Sequence, residues 1–208
     1  MSTRDYLHFW FAWLRGPHRI GAVVPSGRSL SRAMAAAVPR TDGLIVELGA
    51  GTGTITRQLL SRFSATQLIA VERDSRLAGL LRGRWPSLRV LNTDACDLDC
   101  ALERGEHREV DAVVSALPLL SLPREDRAPI VSQISSLLGR DGRLIQFTYS
   151  RCEPIPAELA EAHGIRGRRL RYVVRNLPPA SIWCYGRGVN GWSPARGAGT
   201  IERLHHSG

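Results

Sequence analysis

Apolar and polar positions along this chain change period several times, and each change marks an element. Between residues 44 and 150, short apolar runs alternate with amphipathic stretches. The runs at 44–48, 67–72, 88–92, 110–115 and 143–150 predict strands, the last entered through an Asp141-Gly142 turn. The stretches at 53–63, 75–84 and 125–138 predict helices between them. Strands that alternate with helices pair in parallel through βαβ crossovers. Beyond these five parallel strands, 154–163 predicts one more helix, and 168–174 and 180–185 predict two strands able to pair as a hairpin at the sheet edge. The expected fold is α/β: a mostly parallel, seven-stranded Rossmann-like sheet with helices on both faces.

The first forty residues follow a helical period. In 3–15, Arg4, Asp5, His8, Ala12 and Arg15 share one stripe, while Tyr6, Leu7, Phe9, Trp10, Phe11, Trp13 and Leu14 cover the rest. Such a wide aromatic face suits a helix lying in a membrane interface, and it equally suits a helix capping the domain's own core. Gly16-Pro17 ends it. Ser26 then caps a second helix, whose Leu30, Ala33, Met34, Ala37 and Val38 form one stripe that stops before Pro39. From residue 186 onward Gly, Pro and Ser dominate without periodicity, which predicts a flexible tail. The chain thus divides into N-terminal amphipathic helices (1–40), a core (41–185) and a tail (186–208).

Charge changes the picture more than composition does. At 208 residues, 43% hydrophobic and 23% charged, the chain reads as one globular domain. All 28 basic side chains are arginine, and against 19 acids they leave a net charge of +9. An anionic membrane and a nucleic acid would both attract it, and genome base composition alone can also exclude lysine. Cys96, Cys100, Cys152 and Cys184 lack paired metal-ligand spacing, so no metal is expected. No apolar run reaches the roughly 18 residues of a membrane span, and no signal-peptide pattern opens the chain. The expected location is therefore the cytoplasm.

The chemistry concentrates where the first strand meets the first helix of the core, at Glu47-Leu48-Gly49-Ala50-Gly51-Thr52-Gly53. Glycines at a strand-to-helix turn let backbone N–H groups approach a ligand unobstructed. A dinucleotide site wants G-x-G-x-x-G, and these glycines fall at 49, 51 and 53 instead. The E-x-G-x-G-x-G spacing resembles motif I of the class I methyltransferases, which bind S-adenosylmethionine. That resemblance implies a cofactor site of Glu47, Gly49, Ala50, Gly51 and Gly53, with Glu72 accepting both ribose hydroxyls. Asp94 and Ala95 would then hold the adenine. Singly, such a glycine triplet is also a plain helix-entry turn and such acids are also helix caps.

Three further stretches narrow the resemblance: Gly21-Ala22-Val23-Val24-Pro25-Ser26-Gly27, Ser115-Ala116-Leu117-Pro118-Leu119-Leu120 and Gln146-Phe147-Thr148-Tyr149. With them the chain is similar to the bacterial phospholipid N-methyltransferases, which methylate phosphatidylethanolamine stepwise through its monomethyl and dimethyl derivatives towards phosphatidylcholine. Ala116 stands where many members have glycine. The resemblance implies Ser115 at both cofactor and amine, and Leu117 and Pro118 against the substrate. Tyr149 would contact the amine by its hydroxyl and then by cation–π attraction, unless it is a core tyrosine. Arg19 would meet the lipid phosphate and Ser26 the substrate, while His18 is either a base or a solvent-facing side chain. Phe9, Trp10, Trp13 and Arg15 would rest on the anionic inner face of the cell membrane, making the enzyme peripheral.

Two other functions could use the same residues. An RNA adenine N6-dimethylase-like enzyme shares the glycine loop and basic charge. Its family places Asn before Leu-Pro and an aromatic after it to stack a flipped base, whereas this chain has Ala116 and Leu119. A binding module without turnover would not require the acids at 47, 72 and 94.

Overall fold

Apolar runs long enough to cross a sheet, yet without polar alternation, demand cover on both faces, and that demand organises this chain. The computed structural model describes residues 26–102, 110–174, 176 and 178–187. Phe9, Trp10, Trp13, Arg15, His18 and Arg19 lie outside the described residues, as does 188–208. The elements are α1 (Ser26–Ala37), β1 (Leu44–Leu48), α2 (Thr54–Leu60), β2 (Leu68–Val71), α3 (Ser75–Arg84), β3 (Arg89–Leu91) and α4 (Leu98–Ala101). They continue with β4 (Val110–Ser115), α5 (Arg124–Leu137), β5 (Leu138–Thr148), α6 (Ala157–Ala162), β6 (Arg166–Val173) and β7 (Ala180–Gly186).

The seven strands order as β3-β2-β1-β4-β5-β7-β6. β1 to β5 pair in parallel, as the βαβ alternation predicts. β7 runs antiparallel between β5 and β6, so the predicted hairpin exists with β6 as the outer edge. Strand parity sorts the two cores. Ile45, Leu68, Ala70, Ala112, Val114 and Ile145 face a layer built by α1, α2 and α3. Val46, Leu48, Ile69, Val71, Val113 and Leu144 face α4, α5 and α6.

α1 presents the predicted stripe: Leu30, Met34, Ala37 and Val38 are buried against the first layer, which also contains Ile182 and Cys184 of β7. The second predicted helix is therefore bound into the core. Two boundaries differ from expectation. β5 begins at Leu138, directly after α5, and the Asp141-Gly142 pair lies inside it. There the pairing with β4 jumps from Val110↔Leu138 to Ala112↔Arg143, so the turn signal marks an irregularity that absorbs extra residues within one strand. The tail signal at 186 is also early: Gly186 closes β7, and Arg187 donates a 2.9 Å hydrogen bond to the Ser135 carbonyl.

Gly53 is the joint between β1's loop and α2. Its φ is +82°, and a Cβ there would stand 2.4 Å from the Trp85 ring and 2.9 Å from Leu81. We expect Gly53→Ala to lower stability by roughly 2–4 kcal/mol, from left-handed strain plus overpacking, measured by urea unfolding. An unchanged midpoint would contradict this packing.

Candidate functional site

The carboxyl ends of the five parallel strands share one edge, and the loops leaving β1 to β4 form a cleft there of about 600 Å³, within the size range of small-molecule sites. The glycine loop makes one wall. The Gly49 and Ala50 amides donate to the Val71 carbonyl at 2.9 and 3.2 Å, extending the β1–β2 pairing past the strand end. Gly49, Gly51 and Gly53 all adopt positive φ, of 71°, 58° and 82°. At Gly49 a Cβ would meet the Leu117 side chain at 3.0 Å, so the loop after β4 rests directly on the glycine loop.

Glu72, one residue past β2, fastens this wall. Its Oε2 accepts the Gly51 amide and its Oε1 the Asp74 amide, each at 2.8 Å. Asn92 secures the same turn from below, its Nδ2 donating at 2.9 Å to the carbonyls of Glu72 and Arg73. Asp94 lies opposite. Its Oδ1 accepts the Cys96 amide, and its Oδ2 pairs with Arg73 at 3.2 Å. Partial burial works against ionisation of Asp94, but the Cys96 amide and Arg73 outweigh it and hold its pKa below the ordinary value.

Glu47 is different in kind. It points to the α2 side of β1, is 0% exposed, and neither carboxylate oxygen has a complete hydrogen bond. Burial pushes its pKa from 4.5 up to about 8, opposed by the neighbouring Thr56 hydroxyl and amide and reinforced by the charge of Glu72. A buried carboxyl so weakly hydrogen-bonded is costly as an anion. Its protonated form is therefore favoured up to about pH 8.

Of the residues expected from sequence, Gly49, Gly51, Glu72, Asp94, Ala95, Leu117 and Pro118 line the cleft together. Glu47, Ala50 and Gly53 lie behind that wall, within or beneath the loop. Ser115 is fully buried at the end of β4, and its hydroxyl accepts the Leu117 amide at 3.3 Å, so it shapes the loop from inside. Tyr149 is not brought to the cleft wall. It follows Ile145 and Phe147 by strand parity onto the α1 side, with its ring edge-to-face against Phe147 at 5.3 Å. Burial raises its phenol pKa, offset by a hydrogen bond with the Asn176 side chain. Ser26 begins α1.

Three contributors have no role assigned by the sequence pattern, Gln146 among them although it opens one of the stretches that carry the resemblance. Thr56 sits under Glu47 on the buried stripe of α2 that also holds Leu59, where a polar residue in an apolar register was the available signal. Arg73 pairs with Asp94 across the cleft. Gln146, fully buried on β5 opposite Ser115, donates its Nε2 to the Leu117 carbonyl at 2.8 Å. Because the Leu119 amide donates to that same carbonyl at 2.9 Å, both of its lone pairs are engaged.

A family model described as a methyltransferase domain matches residues 45–142. An ornithine lipid N-methyltransferase from Singulisphaera acidiphila is 30% identical over 193 residues, covering 89% of this chain and 97% of that protein. A ribosomal RNA small subunit methyltransferase A from Geobacter sulfurreducens is 31% identical over 136 residues, covering 64% of this chain and 47% of that protein. Among solved structures, the Burkholderia thailandensis 1,6-didemethyltoxoflavin-N1-methyltransferase, with bound 1,6-didemethyltoxoflavin and S-adenosylhomocysteine, shares the fold at a TM-score of 0.64. The two are 17% identical, over 90% of this chain and 92% of that one.

The buried carboxyl leads to a stability prediction. An unfolded Glu47 ionises near pH 4.5 and the folded one near 8, so its contribution to stability is complete below about pH 4.5 and is lost as pH rises to about 8. Glu47→Gln should therefore melt several degrees above the unsubstituted chain at pH 8.5 without ligand, and the gap should close towards pH 5. A lower melting temperature for the variant at pH 8.5 would contradict the buried protonated state.

Proposed function

Since the chain belongs to the class I S-adenosylmethionine-dependent methyltransferases, in the same family as the ornithine lipid N-methyltransferase, we propose that it methylates the primary amine of a membrane lipid. The observation that carries this reading is the lipid methyltransferase match over nearly the whole of both chains. Phosphatidylethanolamine and its monomethyl and dimethyl derivatives are the substrates expected from the loop and strand motifs. An ornithine head group offers the same pair of features, a primary amine beside an anion. A net charge of +9 favours action at the anionic inner face of the membrane.

The cleft fits the cofactor. Glu72 and Asp94 present carboxylates on its lining, the glycine loop admits close approach, and Glu47 lies buried behind that loop with a weakly hydrogen-bonded carboxyl. When bound, S-adenosylmethionine supplies an electrophilic methyl group to an incoming nitrogen. The chain's own task is then to bind and orient, since an amine in its neutral form needs little acid–base help. Glu72 is assigned to the ribose hydroxyls and Asp94 to the adenine amine. Leu117 and Pro118 hold the substrate side, made rigid by Ser115 and Gln146. With the Leu117 carbonyl already engaged, the carbonyl of Ala116, a cleft-lining residue, is the proposed acceptor for the amine N–H. Tyr149, directly after β5 and packed on Phe147, is a proposed contact for the amine, outside the cleft wall itself.

The ribosomal RNA match makes an adenine methyltransferase the second reading. Leu119 weighs against it: the position that would stack a flipped base is aliphatic and 0% exposed.

Radiolabelled methyl donor should label phosphatidylethanolamine or ornithine lipid in vesicles, with the products separated by thin-layer chromatography. Glu72→Ala should reduce labelling at least about a hundredfold through lost cofactor affinity, since two amide contacts and the ribose acceptor disappear together. Labelling of ribosomal RNA with silent vesicles would overturn the lipid assignment.

A further inference from the structure

Arginines collect on the outermost strand. Arg169 and Arg171 of β6 are exposed, as is Arg151 just past β5. The Arg151 guanidinium stands 5.9 Å from the centre of the Tyr172 ring. Tyr172 and Val174 are 40% and 69% exposed, two of the three large exposed hydrophobics among the described residues. Two of the acids on this side are engaged elsewhere. Glu161 is 3.7 Å from Arg166, and Glu153 is partly buried and bonded to the Tyr185 hydroxyl.

Position matters as much as composition. β6 runs in the same direction as β5, and the registers Thr148↔Ser181 and Val173↔Ala180 bring its end to the edge that carries the cofactor cleft. Tyr172 and Val174 therefore emerge beside the strand ends where chemistry occurs. Exposed guanidinium groups next to an aromatic and an aliphatic side chain match a bilayer surface, where phosphates take the charge and the rings and methyl groups enter the interface. A nucleic acid would use the arginines but would gain nothing by covering Val174.

We propose that Arg151, Arg169, Tyr172 and Val174 form a docking surface for an anionic phospholipid leaflet, which sets the cleft facing the bilayer. The inference deepens the lipid reading and rests on it. The occupant is the leaflet itself, chosen by charge complementarity and by the apolar pair at the centre of the patch.

The test uses the full chain and vesicles of phosphatidylglycerol with phosphatidylcholine, which contain no primary amine. Binding is measured by sedimentation, with cofactor calorimetry reporting that each variant is folded. Arg151→Glu/Arg169→Glu should weaken binding about tenfold or more, and Tyr172→Ser/Val174→Ser should weaken it several-fold. On the unsubstituted chain, hydrogen exchange across residues 166–174 should slow when vesicles are added. Unchanged exchange there, or equal binding by both variants, overturns the surface. So does a charge variant that loses affinity for a short RNA duplex while retaining it for vesicles. The two readings fail separately. Docking without methylation of any amino lipid overturns the reaction alone, and methylation of bilayer lipid with undiminished binding in both variants overturns the surface alone.

Discussion

Glu47 sits near the end of the inner strand β1 with a carboxyl group that the folded chain leaves without a full hydrogen bond. Evicting water from a carboxylate costs several kcal/mol unless a donor or a positive charge replaces it. Most buried acids are paired for that reason, and this one is paired only weakly, by Thr56. The rest of the site is arranged around the omission. The glycine loop closes above Glu47, Glu72 and Asp74 fasten that loop to β2 and α3, and Leu117 rests on Gly49 from the far side. A loop held so firmly keeps water from solvating Glu47, which lies just behind the wall of the cleft.

The same edge organises the second half of the reaction. Ser115 and Gln146 face each other across β4 and β5 and fix the Leu117 peptide between them. This makes the β4 loop a rigid shelf. In a methyl transfer that depends on aligning a nitrogen with a sulfonium carbon, rigidity of the shelf contributes more than a general base would. The role we propose for Ser115 is accordingly positioning, its hydroxyl being spent on the backbone.

Much of this was legible in the residues. Inner strands covered on both faces read as unbroken apolar runs, so β1, β2 and β4 stood out, and glycine spacing distinguished the loop from a dinucleotide turn. Edge strands hide better: β6 begins at Arg166, two residues before its apolar pattern, because arginines occupy its exposed positions. Asp141-Gly142 read as a turn because local chemistry cannot foresee that pairing with β4 resumes past it. The roles of Arg73 and Gln146 depend on neighbours 21 and 29 residues away in sequence, Asp94 and Leu117, and no local pattern encodes such partners. Tyr149 faces α1 by strict alternation from Ile145, a parity usable only once the faces of β5 were assigned.

The central claim is that the cleft carries a positively charged cofactor whose approach ionises Glu47. Calorimetric titration with S-adenosylmethionine at pH 6.5, in two buffers of different ionisation enthalpy, measures the protons released on binding. With Glu47 protonated below about pH 8 in the empty site, the account predicts release of about one proton by the unsubstituted chain and close to none by Glu47→Gln. Equal release by the two proteins, or tight binding with no proton released by either, would contradict it.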